Sequence, residues 1–152
     1  MAAPPLPTAV RVTAGQRHAM TLKSTGTLDY ACRPRPGMSG AYGWVLVAPD
    51  AVLLHWTGLH VGRYAAGPTL QYRDGSRVTL KLVTSSPDEP GKMPIQLYRA
   101  AGHTGEGEFA DVTYVQRLNA VSREPEAACT AGNVGGMARE PFSADFLFYK
   151  AP

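Results

Sequence analysis

Glycine and proline interrupt this chain at short intervals, and this spacing limits its possible folds more than any other feature. The 152 residues include 16 glycines and 13 prolines, spread along the whole length. Both residue types end regular elements and favour turns. No stretch long enough for a helix keeps apolar residues at helical spacing without such an interruption. The sequence therefore predicts many short β-strands and at most one short helical turn, near residues 124–131.

About ten segments have strand character. They are residues 9–13, 19–23, 27–32, 42–48, 51–56, 69–73, 77–84, 95–100, 108–118 and 144–149. Between two of them, Asp74-Gly75 predicts a tight hairpin, because this pair readily adopts positive φ angles. The alternation that follows places Val78, Leu80 and Leu82 on the core face.

Two of the segments, 44–48 and 51–56, are almost continuously apolar. Such runs are typical of central strands that are covered on both faces, and Pro49-Asp50 predicts a turn between them. We therefore predict an all-β fold: one domain over residues 9–150, a β-sandwich or β-barrel of about ten short strands with little helix. Residues 1–8 are predicted to be a flexible N-terminal segment.

Charge and hydropathy exclude two classes of partner. The net charge is only +3, with scattered Lys and Arg, so we predict no nucleic-acid binding. No apolar run reaches the length of a membrane span. Residues 1–7 are similar to the small, proline-rich stretch left after signal cleavage, with Met1 as an added start. This predicts a secreted or periplasmic protein; a native cytosolic start is the alternative.

Cys32 and Cys129 are the chain's two cysteines, with no C-x-x-C spacing. An isolated pair indicates one disulfide, which would persist only in an oxidising compartment. The alternative is two buried free thiols that lie far apart. The four histidines show no metal-ligand spacing, so we predict no metal site. The match to G-x-G-x-x-A at residues 105–110 opens no helix, so we also predict no cofactor.

A glycine-rich loop carries the candidate catalytic residues. His103 lies among carboxylates there, so it is a candidate general base that Glu106 or Asp111 would orient. The alternative is a hairpin loop with solvated charges.

A second set of residues is suited to ligand recognition. Residues 113–119 alternate, so that Tyr114 and Gln116 share one face and Arg117 lies on the other. Aromatic faces with a fixed amide and guanidinium often line binding pockets. The candidate ligand-binding residues are therefore Trp44, Tyr72, Tyr114, Gln116 and Arg117. For Gln116 the alternative is a polar network within the core.

An ordered series of short motifs runs from about Leu22 to Tyr149. It includes Tyr30-x-Cys32, Gly43-Trp44-Val45, Gly62-Arg63, Asp74-Gly75-Ser76, residues 112–119 and residues 141–146. In these motifs the chain resembles an uncharacterised domain-of-unknown-function family of secreted bacterial and fungal proteins. The resemblance implies export by a cleaved signal, a mainly β domain and a cysteine pair at Cys32 and Cys129.

The same resemblance implies no established activity. Some fungal members carry a malate dehydrogenase label, but this chain lacks the dinucleotide fingerprint and the βαβ pattern which that chemistry needs. The chain also departs from the family pattern. Tyr64 stands where a histidine is usual, and Leu70 and Ile95 stand where tryptophans are usual. His103 matches a histidine of some members.

These observations favour a secreted or periplasmic binding domain for a small molecule or glycan that catalyses no reaction. One alternative is a hydrolase or lyase with His103 as general base. The other is an envelope or surface protein that contacts other proteins, which predicts an exposed apolar patch.

Overall fold

Residues 6–152 are described by a computed structural model, and they form eight antiparallel β-strands that close into a barrel. Each strand pairs with the next one along the chain, and β8 pairs with β1. The strands are β1 (Arg17–Pro34), β2 (Tyr42–Leu54), β3 (His60–Ala65), β4 (Thr69–Tyr72), β5 (Arg77–Ser86), β6 (Ile95–Thr104), β7 (Val112–Val121) and β8 (Met137–Lys150). The all-β prediction is confirmed, and the barrel is the correct one of its two forms.

The strand count differs from the prediction: the described residues form eight strands, where about ten short ones were predicted. One reason is that β1 and β2 each join two of the predicted segments. Gly26 lies inside β1, where a side chain would collide with the backbone of Asp50 and Ala51 on β2. This glycine therefore allows two strands to approach closely and does not mark a turn.

The predicted turn at Pro49-Asp50 was also wrong, since both residues lie inside β2. Strand β3 pairs with β2 only from Ala51 onward, so β2 is an edge at Pro49. An edge strand tolerates a residue without an amide hydrogen. Asp50 accepts hydrogen bonds from Arg63 at 2.6 Å and Arg139 at 2.5 Å, which ties β2 to β3 and β8.

Several predicted burial states and elements also differ. Val45, Leu46 and Val47 are exposed, because β2 extends there beyond the end of β3. Val78 and Leu80 are buried as predicted, but Leu82 is exposed next to a bulge in β5. The predicted strand at 9–13 begins instead within a 3₁₀ turn, Thr8–Val10, and β3 was not predicted. A second 3₁₀ turn spans Ala131–Asn133, at the end of the predicted helical region.

Aromatic side chains fill the barrel interior. Phe109 stacks on Phe148 with ring centroids 4.8 Å apart, and Tyr64 meets Phe146 edge-on at 5.0 Å. These rings are buried, together with Tyr98 of β6 and aliphatic residues from the other seven strands. We call the end that Phe109 fills the Phe109 end.

The opposite end is held by a disulfide between Cys32 and Cys129, as predicted. The bond joins Cys32, near the end of β1, to Cys129 in the loop between β7 and β8. We call this the disulfide end. The β3–β4 hairpin is short and ends before it reaches this end of the barrel. Here β2 therefore has no pairing with β3, and β5 has none with β4.

The segment before β1 lies against the outer wall of the barrel. Val10 is fully buried against Ile95 and Leu97 of β6, and Leu6 packs on the same cluster. Of the predicted flexible segment at residues 1–8, residues 1–5 lie outside the described part of the chain.

Candidate functional site

The five predicted ligand-binding residues lie in four separate places. Trp44 is at the disulfide end, where its indole Nε1 donates a hydrogen bond to the carbonyl of Ala127 at 2.7 Å. Tyr72 contacts Phe109 at the opposite end. Tyr114 and Gln116 face outward beneath the N-terminal segment, whereas Arg117 points into the barrel. The structure does not bring the five together as one pocket.

Gln116 is almost completely buried, and both ends of its amide are occupied by protein groups. Its Nε2 donates to the carbonyl of Val10 at 2.7 Å, and its Oε1 accepts from the Tyr149 hydroxyl at 2.8 Å. Buried polar groups need such partners. Gln116 therefore holds the N-terminal segment against the outer wall of the barrel.

The candidate catalytic residues lie near the Phe109 end without forming one cluster. The exposed His103 ring donates from Nε2 to the carbonyl of Val112 at 2.7 Å. Asp111 is 2.9 Å from the Lys150 ammonium, which lowers the pKa of its carboxyl group. Glu106 is exposed in the turn. The partners of His103 and Asp111 are therefore a carbonyl and a lysine, not each other.

The glycine-rich loop is pinned to the β4–β5 hairpin by Asp74. One carboxylate oxygen accepts from the Ser76 amide at 2.9 Å and from its hydroxyl at 2.6 Å, and the other accepts from the Glu108 amide at 2.8 Å. The Ser76 hydroxyl in turn accepts from the Phe109 amide at 3.0 Å. A side chain at Gly107 would collide with Asp74. This network inserts Phe109 into the barrel.

We expect Asp74→Asn to destabilise the protein in a pH-dependent way. Hydrogen bonds from Ser76 and Glu108 lower the pKa of Asp74 below its ordinary 3.8. A lowered pKa in the folded state means that ionised Asp74 stabilises the fold above about pH 4, and this contribution disappears as the pH falls through the folded-state pKa.

The measurement is thermal unfolding of both proteins from pH 7 to pH 2.5. The wild type should unfold at the higher temperature at pH 7, and the two curves should converge in acid. An Asn variant that matches the wild type at pH 7 would contradict the role of the charge. Asp88→Asn, the same change in the β5–β6 loop at the other end of the barrel, is the control.

A groove lies on the outer wall, between β1 and the turn that joins β2 to β3. Its volume is about 630 Å³. The residues that give it chemical character are Trp56, His55, Leu54, His18, Lys23 and Asp145. We call it the Trp56 groove.

Trp56 is 85% exposed, which is unusual for so large an apolar side chain. Its ring lies 5.4 Å from that of His55, whose Nδ1 is 3.1 Å from the Thr57 hydroxyl. The turn geometry holds Trp56 in this exposed position. Gly58 has a φ of +90°, the His55 amide donates to the carbonyl of Leu59, and the His55 carbonyl accepts from the Gly58 amide.

Polar groups line the rest of the groove. The His18 Nε2 is 2.8 Å from the Thr21 hydroxyl. Lys23 and Asp145 are register partners across the β1–β8 ladder, so a cation and an anion lie side by side. An aromatic face next to paired donors and acceptors can stack on a ring and hydrogen-bond its substituents.

Sequence reasoning placed Trp56 at the end of a buried strand and so missed this groove. The available signal was Thr57-Gly58, a turn pair directly after the tryptophan. A tryptophan at the start of a turn is positioned for exposure.

Neither a metal cluster nor a spanning helix occurs among residues 6–152. No three His, Cys, Asp or Glu side chains there are grouped to hold a metal ion. The described helices are single turns, too short to cross a membrane.

Comparison with known proteins gives one family assignment. No curated protein and no solved structure matches the chain. A family model described as "Protein of unknown function (DUF3455)" matches residues 13–150, from the segment before β1 to the last residue of β8. The chain therefore belongs to the DUF3455 family.

Proposed function

We propose that this protein is an exported, non-catalytic binding domain, and that the Trp56 groove binds a glycan. The observation that carries the proposal is the 85% exposure of Trp56 at a groove of about 630 Å³. An indole exposed to this extent leaves apolar area in water that a ligand could cover. The apolar face of a sugar ring has a matching size and shape.

The surrounding groups support a sugar rather than a purely apolar ligand. Lys23 and Asp145 offer a donor and an acceptor, and His18 and His55 offer ring nitrogens. Hydroxyl groups of a glycan can bond to all four. The His18 and His55 ring nitrogens contact threonine hydroxyls. A general base usually needs an orienting carboxylate, so these contacts favour binding over catalysis.

Export is supported by the disulfide. A Cys32–Cys129 bond persists in the periplasm or outside the cell and is reduced in most cytosols. A secreted or periplasmic location would also bring the groove into contact with extracellular or cell-wall glycans.

Tryptophan fluorescence titration with chitotetraose, cellotetraose and maltotetraose tests the proposal. We expect at least one of them to quench or shift the emission saturably, and Trp56→Ala to weaken its binding by about tenfold or more, because a central aromatic anchor contributes about 2 kcal/mol or more. Calorimetry reports the affinity of the alanine variant, which lacks the reporting indole.

Trp44→Phe is the matched control, since it removes the other tryptophan and leaves the groove intact. It should bind as tightly as the wild type. The proposal fails if none of the oligosaccharides binds, or if Trp56→Ala binds them as well as Trp44→Phe does.

A further inference from the structure

Two basic side chains point into the barrel, and they are partnered very differently. At the Phe109 end, the Lys150 ammonium is 2.9 Å from Asp111 and 3.4 Å from Glu108. Near the disulfide end, Arg117 is only 5% exposed, and its Nη2 donates to the carbonyl of Pro94 at 2.8 Å. Its Nε is buried without a hydrogen-bond partner in the described part of the chain. Among residues 6–152, no carboxylate forms an ion pair with it.

A buried guanidinium without a counter-ion is costly. Buried charges in proteins are normally paired, and a guanidinium carries five N–H donors. One carbonyl contact satisfies only a small part of that capacity. By contrast, the Lys150 cation is neutralised by two carboxylates, Glu108 and Asp111, that the adjoining loop supplies.

The groups that face Arg117 carry no charge, and they are partly polar and partly aromatic. Gln96 lies directly opposite it on β6 and accepts a hydrogen bond from the Tyr98 hydroxyl. Phe146 lies opposite it on β8 and packs against Tyr64. Burial raises the pKa of Tyr64 to about 12, so its hydroxyl stays neutral and cannot act as the counter-ion.

The barrel wall is lowest on the side of Tyr64. Strand β3 pairs with β2 only over residues 51–54, and β4 pairs with β5 only over residues 77–79. Beyond the β3–β4 hairpin, β2 and β5 therefore face each other without a strand between them. The contact with Pro94, in the β5–β6 loop, directs the Arg117 head group towards this same end.

We propose that the disulfide end of the barrel binds a small organic carboxylate, with the carboxylate paired to Arg117 and an apolar or aromatic body packed near Tyr64 and Phe146. The planar donors of a guanidinium match the two oxygens of a carboxylate. Phosphate is a poorer fit, because a dianion needs more than one cation and the neighbouring walls are aromatic. This site is at the opposite end of the barrel from the Trp56 turn and does not depend on the glycan proposal.

The Arg117 Nε–H resonance in a ¹⁵N-resolved NMR spectrum is the direct test, since this is the unpartnered donor. Arg117→Met assigns the signal by its loss. Wild-type protein is titrated with benzoate, with neutral benzyl alcohol and with inorganic phosphate. We expect benzoate to shift the signal saturably and the other two to leave it in place.

Calorimetry of benzoate binding completes the test. Arg117→Met should weaken binding by about tenfold or more, because it removes one partner of a buried charge pair. Lys150→Met, which removes the other interior cation, and Trp56→Ala should both keep the wild-type affinity.

The proposal is overturned if benzoate leaves the Nε–H signal unchanged, which would mean that water alone satisfies Arg117. It is also overturned if benzyl alcohol or phosphate shifts the signal as strongly as benzoate. Should Arg117→Met fail to fold, the titration of the wild type still decides between these outcomes, with the signal assigned by Arg117→Lys, which has no Nε–H.

Discussion

Phe109→Ala is expected to lower the free energy of unfolding by about 3–5 kcal/mol, the usual cost of removing a fully buried aromatic ring. Phe109 has no exposed surface, although it comes from a loop and not from a strand. Its ring stacks on Phe148 and meets Tyr72 edge-on at 5.2 Å. Without the ring, one end of the barrel loses its closure, and water reaches the aromatic layer beneath it. Urea unfolding followed by circular dichroism measures the effect.

Glu106→Ala is the control for that substitution, because it changes an exposed residue in the same loop. It should alter the free energy by no more than about 0.5 kcal/mol, as surface changes usually do. If Phe109→Ala costs as little as Glu106→Ala, the loop is not the closure that its contacts indicate.

Removing the disulfide with Cys32→Ala and Cys129→Ala is expected to cost about 2–5 kcal/mol. The two cysteines are 97 residues apart, so the bond restricts most of the unfolded chain. It also anchors the β7–β8 loop, whose Gly135 amide and Gly136 carbonyl bond to the backbone of Cys32. Denaturant unfolding of the double variant and the oxidised wild type gives the difference.

Reductant provides the control for the disulfide. Wild-type protein treated with a phosphine reductant should unfold like the double variant, whereas the double variant should not respond to it. A reduced wild type as stable as the oxidised one would show that the bond contributes nothing to folding stability.

Local chemistry made part of this fold predictable. The hairpin at Asp74-Gly75 follows from the φ angle that glycine permits, and Gly75 adopts a φ of +93°. The alternation of Val78 and Leu80 predicts their burial, because strand side chains alternate between faces. The cysteine pair predicts its own bond, since no other thiol competes.

Pairing between distant strands was not predictable in the same way. The run at Val45, Leu46 and Val47 has the composition of a covered strand, yet it is exposed because β3 ends before reaching it. The length of a neighbouring strand is not written in the residues of β2. The same limit explains Pro49, which interrupts a strand only where its amide would be needed.

The candidate sites show the same division. Arg117 was predicted from its residue type and neighbours, but its lack of a counter-ion depends on Gln96, Tyr64 and Phe146, which come from three other strands. Trp56 was assigned to the core because an apolar run preceded it. Leu53 is buried and Trp56, at the turn that follows, is exposed, and composition does not reveal where along this run the exposure begins.

The closing ladder between β1 and β8 sets the order in which this barrel can assemble. Of the eight ladders that residues 6–152 form, seven join strands adjacent along the chain, whereas the eighth pairs Arg17 with Lys150. Loop-closure entropy opposes that last contact most strongly, so we expect the hairpins to form first and the closing ladder to form late. Until then the chain is an open sheet whose two outermost strands can pair with another molecule, so we expect the yield of folded protein to fall as the chain concentration rises.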